Sequence, residues 1–150
     1  CLPLVTNGVV TNFLYDLQTA ALAGTQSTGN GQRVSGGFPS PAVSSLISSG
    51  GDVSFQTMVE DIKEGLIVEQ LMGADQGNLL GGDFSGNVLL GYKVENGEIV
   101  GRVKDTMIAG NVYQVLKELL GMGQEARWVG GILQTPPLYC SHVSVTTKGS

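Results

Sequence analysis

Residues 81–104 read GGDFSGNVLLGYKVENGEIVGRVK. Val88, Leu90, Tyr92 and Val94 alternate with Leu89, Gly91, Lys93 and Glu95, the period of two expected of a half-buried strand. Asn96-Gly97 follows, and both residues tolerate the positive φ of a type I′ turn. A two-residue turn sets the register. Glu95 is expected opposite Glu98, Val94 opposite Ile99, Tyr92 opposite Gly101 and Leu90 opposite Val103. The apolar side chains then share one face, and Gly91, Lys93 and Arg102 share the other. The two turn glutamates repel mildly and do not suggest a paired acid and base.

Residues 4–5 and 9–15 predict a second hairpin about Asn7-Gly8, with Val5 facing Val10. Asp16 is placed to cap a helix over 17–23, closed by Gly24. Ser54 caps a helix over 55–64, where Phe55, Met58, Val59 and Ile62 form one apolar stripe. Gly65 suits the left-handed position after it. Residues 66–72 read as a strand and 73–82 as a polar turn region. Residues 106–109 form a short strand, and Asn111 caps a helix bearing Val112, Val115, Leu116 and Leu119. Gly121 and Gly123 are expected to end that helix. Residues 42–48 and 138–146 are further strand candidates, and Pro136-Pro137 makes a rigid corner. Trp128, the single tryptophan, reads as core or interface packing.

Each apolar stripe must bury against something, and the sheet is the available surface. The expected fold is therefore α+β. It is antiparallel and β-rich, a barrel-like sheet with two main covering helices. The chain has 150 residues, enough for one domain or one large piece of one. Charged residues are only 14%, which excludes a disordered tail or coiled coil. The net charge is −5 and the eight basic residues are scattered, which argues against nucleic-acid binding. No apolar run or leader-like segment points to a membrane. Cys1 and Cys140 make no disulfide framework, so a reducing, cytoplasmic setting is expected. The first residue is not Met, and the opening strand suggests a fragment or processed product cut within a sheet.

The chemistry-bearing residues are few. His142 is the one histidine, two positions from Cys140. On one strand the two would face the same way, as half a zinc site or a thiolate pair, or as a buried Cys beside a solvated His. H-E-x-x-H and G-x-S-x-G are absent, so no catalytic residue and no metal ligand is assigned. Asp83 is expected to cap backbone N–H groups of its turn. Residues 25–41, TQSTGNGQRVSGGFPSP, have two readings: a solvated loop, or a backbone-rich binding loop. In the second reading Gly29, Asn30, Gly31 and Arg33 are the peptide-binding candidates. The glycines leave backbone groups open to an added strand, and Arg33 meets a carbonyl or carboxylate.

The order of motifs also carries a resemblance. N-G-V-V-T-N-F-L-Y-D at 7–16, S-T-G-N-G at 27–31, the 55–64 helix followed by G-L-I-V, then G-D-F-S, E-N-G-E-I and I-A-G-N, is similar to the C-terminal region of the PmbA/TldD family. These are peptide-maturation proteases, long labelled modulators of DNA gyrase. The resemblance implies that residues 1–150 are the C-terminal β-rich domain of such a protein, with the N-terminal half absent. It implies a zinc-dependent peptidase working as a homodimer or as a heterodimer with a paralogue, on small or unfolded peptides held in a closed cavity. The zinc-bearing helix of the family lies in the missing half, so no cofactor is expected in this chain, and zinc belongs to the full-length parent or its partner. The catalytic type has a further Cys ligand in the Gly-rich region after the last helix. Residues 121–135 hold no Cys here, and Cys140 is not given that role. The chain therefore looks nearer the PmbA (TldE) type. The alternative is an independent, non-enzymatic binding module for a peptide or for a protein such as gyrase.

Overall fold

The computed structural model describes residues 1–148, which divide into two compact units. The first holds Cys1–Ile47 and Trp128–Gln134. In it β1 (Val5–Thr6) and β2 (Val9–Val10) pair antiparallel with Val5 opposite Val10, as the turn requires. Asn7 and Gly8 have φ of 50° and 77°. The pairing spans two residues a side, far less than the expected 9–15 strand. α1 (Leu17–Leu22) starts at Asp16 in a capping box. Thr19 N–H donates to Asp16 Oδ1 at 2.7 Å, and Asp16 N–H donates to Thr19 Oγ1 at 3.1 Å. β3 (Gly31–Gln32) pairs antiparallel with β4 (Ser40–Pro41). β5 (Leu46–Ile47) reduces the expected 42–48 strand to two residues.

Asp16 is buried, and hydrogen bonds from the Thr19 backbone and hydroxyl hold its carboxyl below the usual range, against the upward pull of burial. Its folded pKa is thus lower than its unfolded one. The stabilisation is complete above the unfolded value and is lost as pH falls through the folded value. Asp16→Asn keeps a capping oxygen but cannot titrate. Acid unfolding followed by circular dichroism is expected to be shallower in this variant. Equal pH dependence in the two proteins would contradict the assignment.

The second unit runs over Ser48–Arg127 and resumes at Thr135. It contains α2 (Phe55–Asp61), β6 (Glu64–Met72), β7 (Asp83–Glu95), β8 (Glu98–Arg102), β9 (Thr106–Asn111), α3 (Val112–Lys117) and β10 (Leu119–Met122). β11 (Arg127–Val129) and β12 (Leu133–Thr135) fall almost wholly in the first unit, where with β5 they make a small sheet. β12 and β5 are parallel. The last strands among the described residues are β13 (Leu138–Cys140), paired with β10, and β14 (Ser144–Thr147).

β7 is the spine. β6 lies along one side, and β9 and β8 share the other, all antiparallel, with β14 beyond β9. The five strands form an open sheet, and no sheet closes into a barrel among the described residues. Val88, Val94 and Ile108 of the sheet are buried, as are Met58 and Val59 of α2. Burial of each such side chain contributes about 1.5–3 kcal/mol. The hairpin tip docks on the chain leaving α2: Asn96 N–H donates to Lys63 O at 2.7 Å and Gly97 N–H to Ile62 O at 2.8 Å.

The hairpin register holds for two pairs and then slips. Glu95 faces Glu98 and Val94 faces Ile99, whereas Lys93 faces Gly101 and Tyr92 faces Arg102. Val100 is the extra residue of a bulge. Val103 N–H donates to Gly91 O, so Leu90 does not pair with Val103 as expected. Gly91, expected on the outer face, is buried. The turn glutamates are eased by Lys93, whose Nζ lies 2.5 Å from Glu95 and 3.8 Å from Glu64.

The helices differ from expectation at their ends. α2 stops at Asp61, and Gly65 is a strand residue opposite Val94, with no left-handed role. A Cβ on it would meet Ile62 Cγ2 at 2.8 Å, which is why glycine fits there. α3 stops at Lys117, and Gly121 lies in β10 opposite Tyr139. The Val112, Val115, Leu116, Leu119 stripe is therefore broken, and α3 buries no residue. Among the described residues three short helices replace the two main covering ones. Trp128 is half exposed rather than core, and no cis peptide occurs among the described residues.

Candidate functional site

The loop at 27–40 has a fixed base and an open tip. Tyr15 N–H donates to Thr28 Oγ1 at 2.9 Å, and Thr28 N–H returns to Tyr15 O at 3.1 Å. Ser27 Oγ donates to the same carbonyl at 3.1 Å and accepts from Gly29 N–H at 3.2 Å. Asn30 O accepts from Ala42 N–H at 2.9 Å, and the β3–β4 pair closes the neck. The loop is thereby anchored although its sequence has no apolar period.

The four candidate residues fall into different environments. Gly29 is exposed with φ of 74°, a conformation that favours glycine. Asn30 is half-buried; its Nδ2 reaches Ala42 O at 3.4 Å, and its buried Oδ1 has no partner among the described residues. Gly31 backs onto the helix cap, where a Cβ would lie 3.2 Å from Asp16 Cβ. Arg33 is exposed at the tip and makes no ion pair among the described residues. Sequence reasoning missed its neighbours Val34 and Phe38, which are 74% and 91% exposed. An aromatic in a Gly/Pro-rich loop with no local apolar partner was the available signal.

The second unit holds a cleft of about 430 Å³ beside α3, lined in part by Asn111, Gln114, Ser141, His142 and Ser144. Its chemistry is thin. His142 Nδ1 lies 4.0 Å from Glu118 Oε2 with the His side chain 87% exposed, a weak solvated pair. The shared-face argument for Cys140 and His142 fails because the strand is broken: Cys140 ends β13, on β10, and His142 precedes β14, on β9. Burial pushes the Cys140 thiol up, away from the thiolate a nucleophile or metal ligand needs. No three His, Cys, Asp or Glu side chains cluster as a metal would require among the described residues. These residues do not fit zinc.

Asp83 has a structural role different from the expected one. Its Oδ1 accepts from Asn111 Nδ2 at 2.8 Å, and that amide also donates to Gly81 O at 2.7 Å. Asn111 Oδ1 meanwhile accepts from Tyr113 and Gln114 N–H, capping α3. The G-G-D-F and A-G-N stretches are thus two halves of one joint, with Phe84 opposite Gly110.

A sequence profile of the PmbA/TldA metallopeptidase C-terminal domain matches residues 1–147. The chain belongs to the PmbA/TldD family. It is 34% identical over 126 residues to a metalloprotease of Methanothermobacter thermautotrophicus, covering 83% of this chain and 27% of that protein. Its fold is similar to the crystal structure of TldE from Thermococcus kodakarensis, with TM-score 0.84 and 28% identity over 95% of this chain and 33% of that one. It is also similar to a Thermotoga maritima protein named as a candidate modulator of a DNA gyrase, with TM-score 0.78 and 31% identity, covering 95% of this chain and 32% of that one. The chain thus spans about a third or less of the relatives it matches. No helix in the PmbA/TldD chain is long and apolar enough to cross a membrane among the described residues.

Proposed function

We propose that within a PmbA/TldD-type peptidase this chain holds extended peptide and pairs with a second subunit, a copy or a paralogue. Zinc and hydrolysis are supplied outside it. The observation that carries this reading is the anchored loop at 27–40. It has a hydrogen-bonded base, and its tip offers a cation, Arg33, beside two solvent-facing apolar side chains, Val34 and Phe38. Backbone pairing at such a loop tolerates many sequences, which suits small or unfolded peptides. Arg33 meets a carboxylate or carbonyl, and Phe38 supplies apolar area. The two free thiols, Cys1 and Cys140, suit a reducing cytoplasmic setting.

The test must avoid Gly31, because a side chain there strikes the Asp16 cap and confounds binding with folding. Arg33→Glu combined with Phe38→Ser touches only exposed groups. In the full-length assembly, Kd for a fluorescent unfolded peptide is expected to rise about tenfold, or about 1.4 kcal/mol. The melting temperature should stay unchanged. An unaltered Kd in the folded variant would remove the loop from the binding surface.

A further inference from the structure

We propose that Asn7 is a site of spontaneous deamidation, selected by the fold from three Asn-Gly dipeptides. The chain carries Asn7-Gly8, Asn30-Gly31 and Asn96-Gly97. In each, the glycine has no Cβ to obstruct attack by its own nitrogen on the preceding side chain. The Gly N–H loses its proton and the nitrogen bonds to the Asn Cγ. The Cγ–Nδ2 bond breaks and ammonia leaves with the proton. Water then opens the succinimide at either carbonyl, giving aspartate or isoaspartate. No oxidant or cofactor enters.

The three sites share this chemistry and differ in restraint. At Asn96 the turn closes on Val94, which is 0% exposed, and Gly97 N–H is held by Ile62 O at 2.8 Å. Asn96 N–H is also held by Lys63 O. The attacking nitrogen is engaged, and opening the turn requires lifting it from the chain after α2. At Asn30 the side chain is half-buried and its backbone carbonyl is tied to Ala42. At Asn7 the turn joins two strands of two residues, and every residue of both is exposed. Gly8 N–H has no hydrogen-bond partner among the described residues. A type I′ turn holds Asn away from the attack geometry, so reaction proceeds from the opened turn. Opening is cheapest where little is buried.

The product changes the hairpin. Either product adds a carboxylate to a chain of net charge −5. Isoaspartate also inserts a methylene into the backbone, and the Val5 to Val10 register is lost.

The test is peptide mapping by mass spectrometry of the full-length protein held at mildly alkaline pH. Isoaspartate is scored separately with an isoaspartyl methyltransferase and labelled S-adenosylmethionine. Asn7 is expected to convert about tenfold or more faster than Asn30 and Asn96. In denaturant the three rates should draw together, because only the fold separates them. Equal rates in the native protein would overturn the proposal. So would a preference for Asn7 that persists in denaturant, since it would then belong to local sequence.

Discussion

Gly91→Ala is expected to lower the unfolding free energy by about 3 kcal/mol, a typical upper cost of forcing extra volume into packed structure. Gly91 is buried in β7, opposite Val68 of β6. An added Cβ would lie 2.7 Å from Val88 Cγ1 and 2.8 Å from Ile67 O. The second contact is backbone in the neighbouring strand, so relief requires β6 itself to move. The adjacent strand offers a control. A Cβ at Gly101 meets nothing within 4 Å, and its φ is not left-handed. Gly101→Ala is therefore expected to stabilise by about 0.5 kcal/mol through the unfolded chain. Denaturant unfolding of both variants checks the pair. A Gly91→Ala cost under about 1 kcal/mol would show that the β6–β7 spine is softer than its packing implies.

Asn111→Ala is the second large effect, about 2 kcal/mol. Loss of a helix cap costs about 1 kcal/mol. The two donated bonds, to Gly81 O and Asp83 Oδ1, add about 0.5–1 kcal/mol each, net of exchange with water. Asp83→Ala removes only one of these contacts and is expected to cost about half as much. The double variant should cost little more than Asn111→Ala alone, because the Asp83 carboxylate then has no Asn111 amide to lose. Additive losses in thermal unfolding would mean that the two residues act separately. Asn111→Asp discriminates further. It keeps the capping oxygen, loses both donors and sets a second carboxylate beside Asp83, so it should not rescue.

The turns and caps were legible in the sequence because their causes are local. Asn7-Gly8 and Asn96-Gly97 both adopt positive φ, and Asp16, Ser54 and Asn111 all cap helices. The family resemblance was equally legible, since it lay in the order of short motifs. What was not legible depends on distant partners. The bulge at Val100 is invisible to a period-two pattern, and so are the register shifts between β6 and β7 at Leu90, next to the buried Gly91. Leu119 completes a helical stripe on paper, yet it opens β10 and pairs with Cys140. The 138–146 segment reads as one strand, yet its two ends serve different sheets. Gly65 resembles a helix stop, but the constraint on it is space for Ile62. At the candidate site, the open Arg33 was readable from composition. The Tyr15–Thr28 anchor was not, because it joins residues 13 positions apart.

The most direct test of the peptide-holding role is photo-crosslinking. An unfolded peptide carrying a photoreactive side chain is bound to the full-length assembly, irradiated, and its adducts mapped by mass spectrometry. Adducts are expected within residues 27–40, with Arg33, Val34 and Phe38 among the labelled positions. Saturating labelling confined to other parts of the assembly, with this loop untouched, would contradict the account.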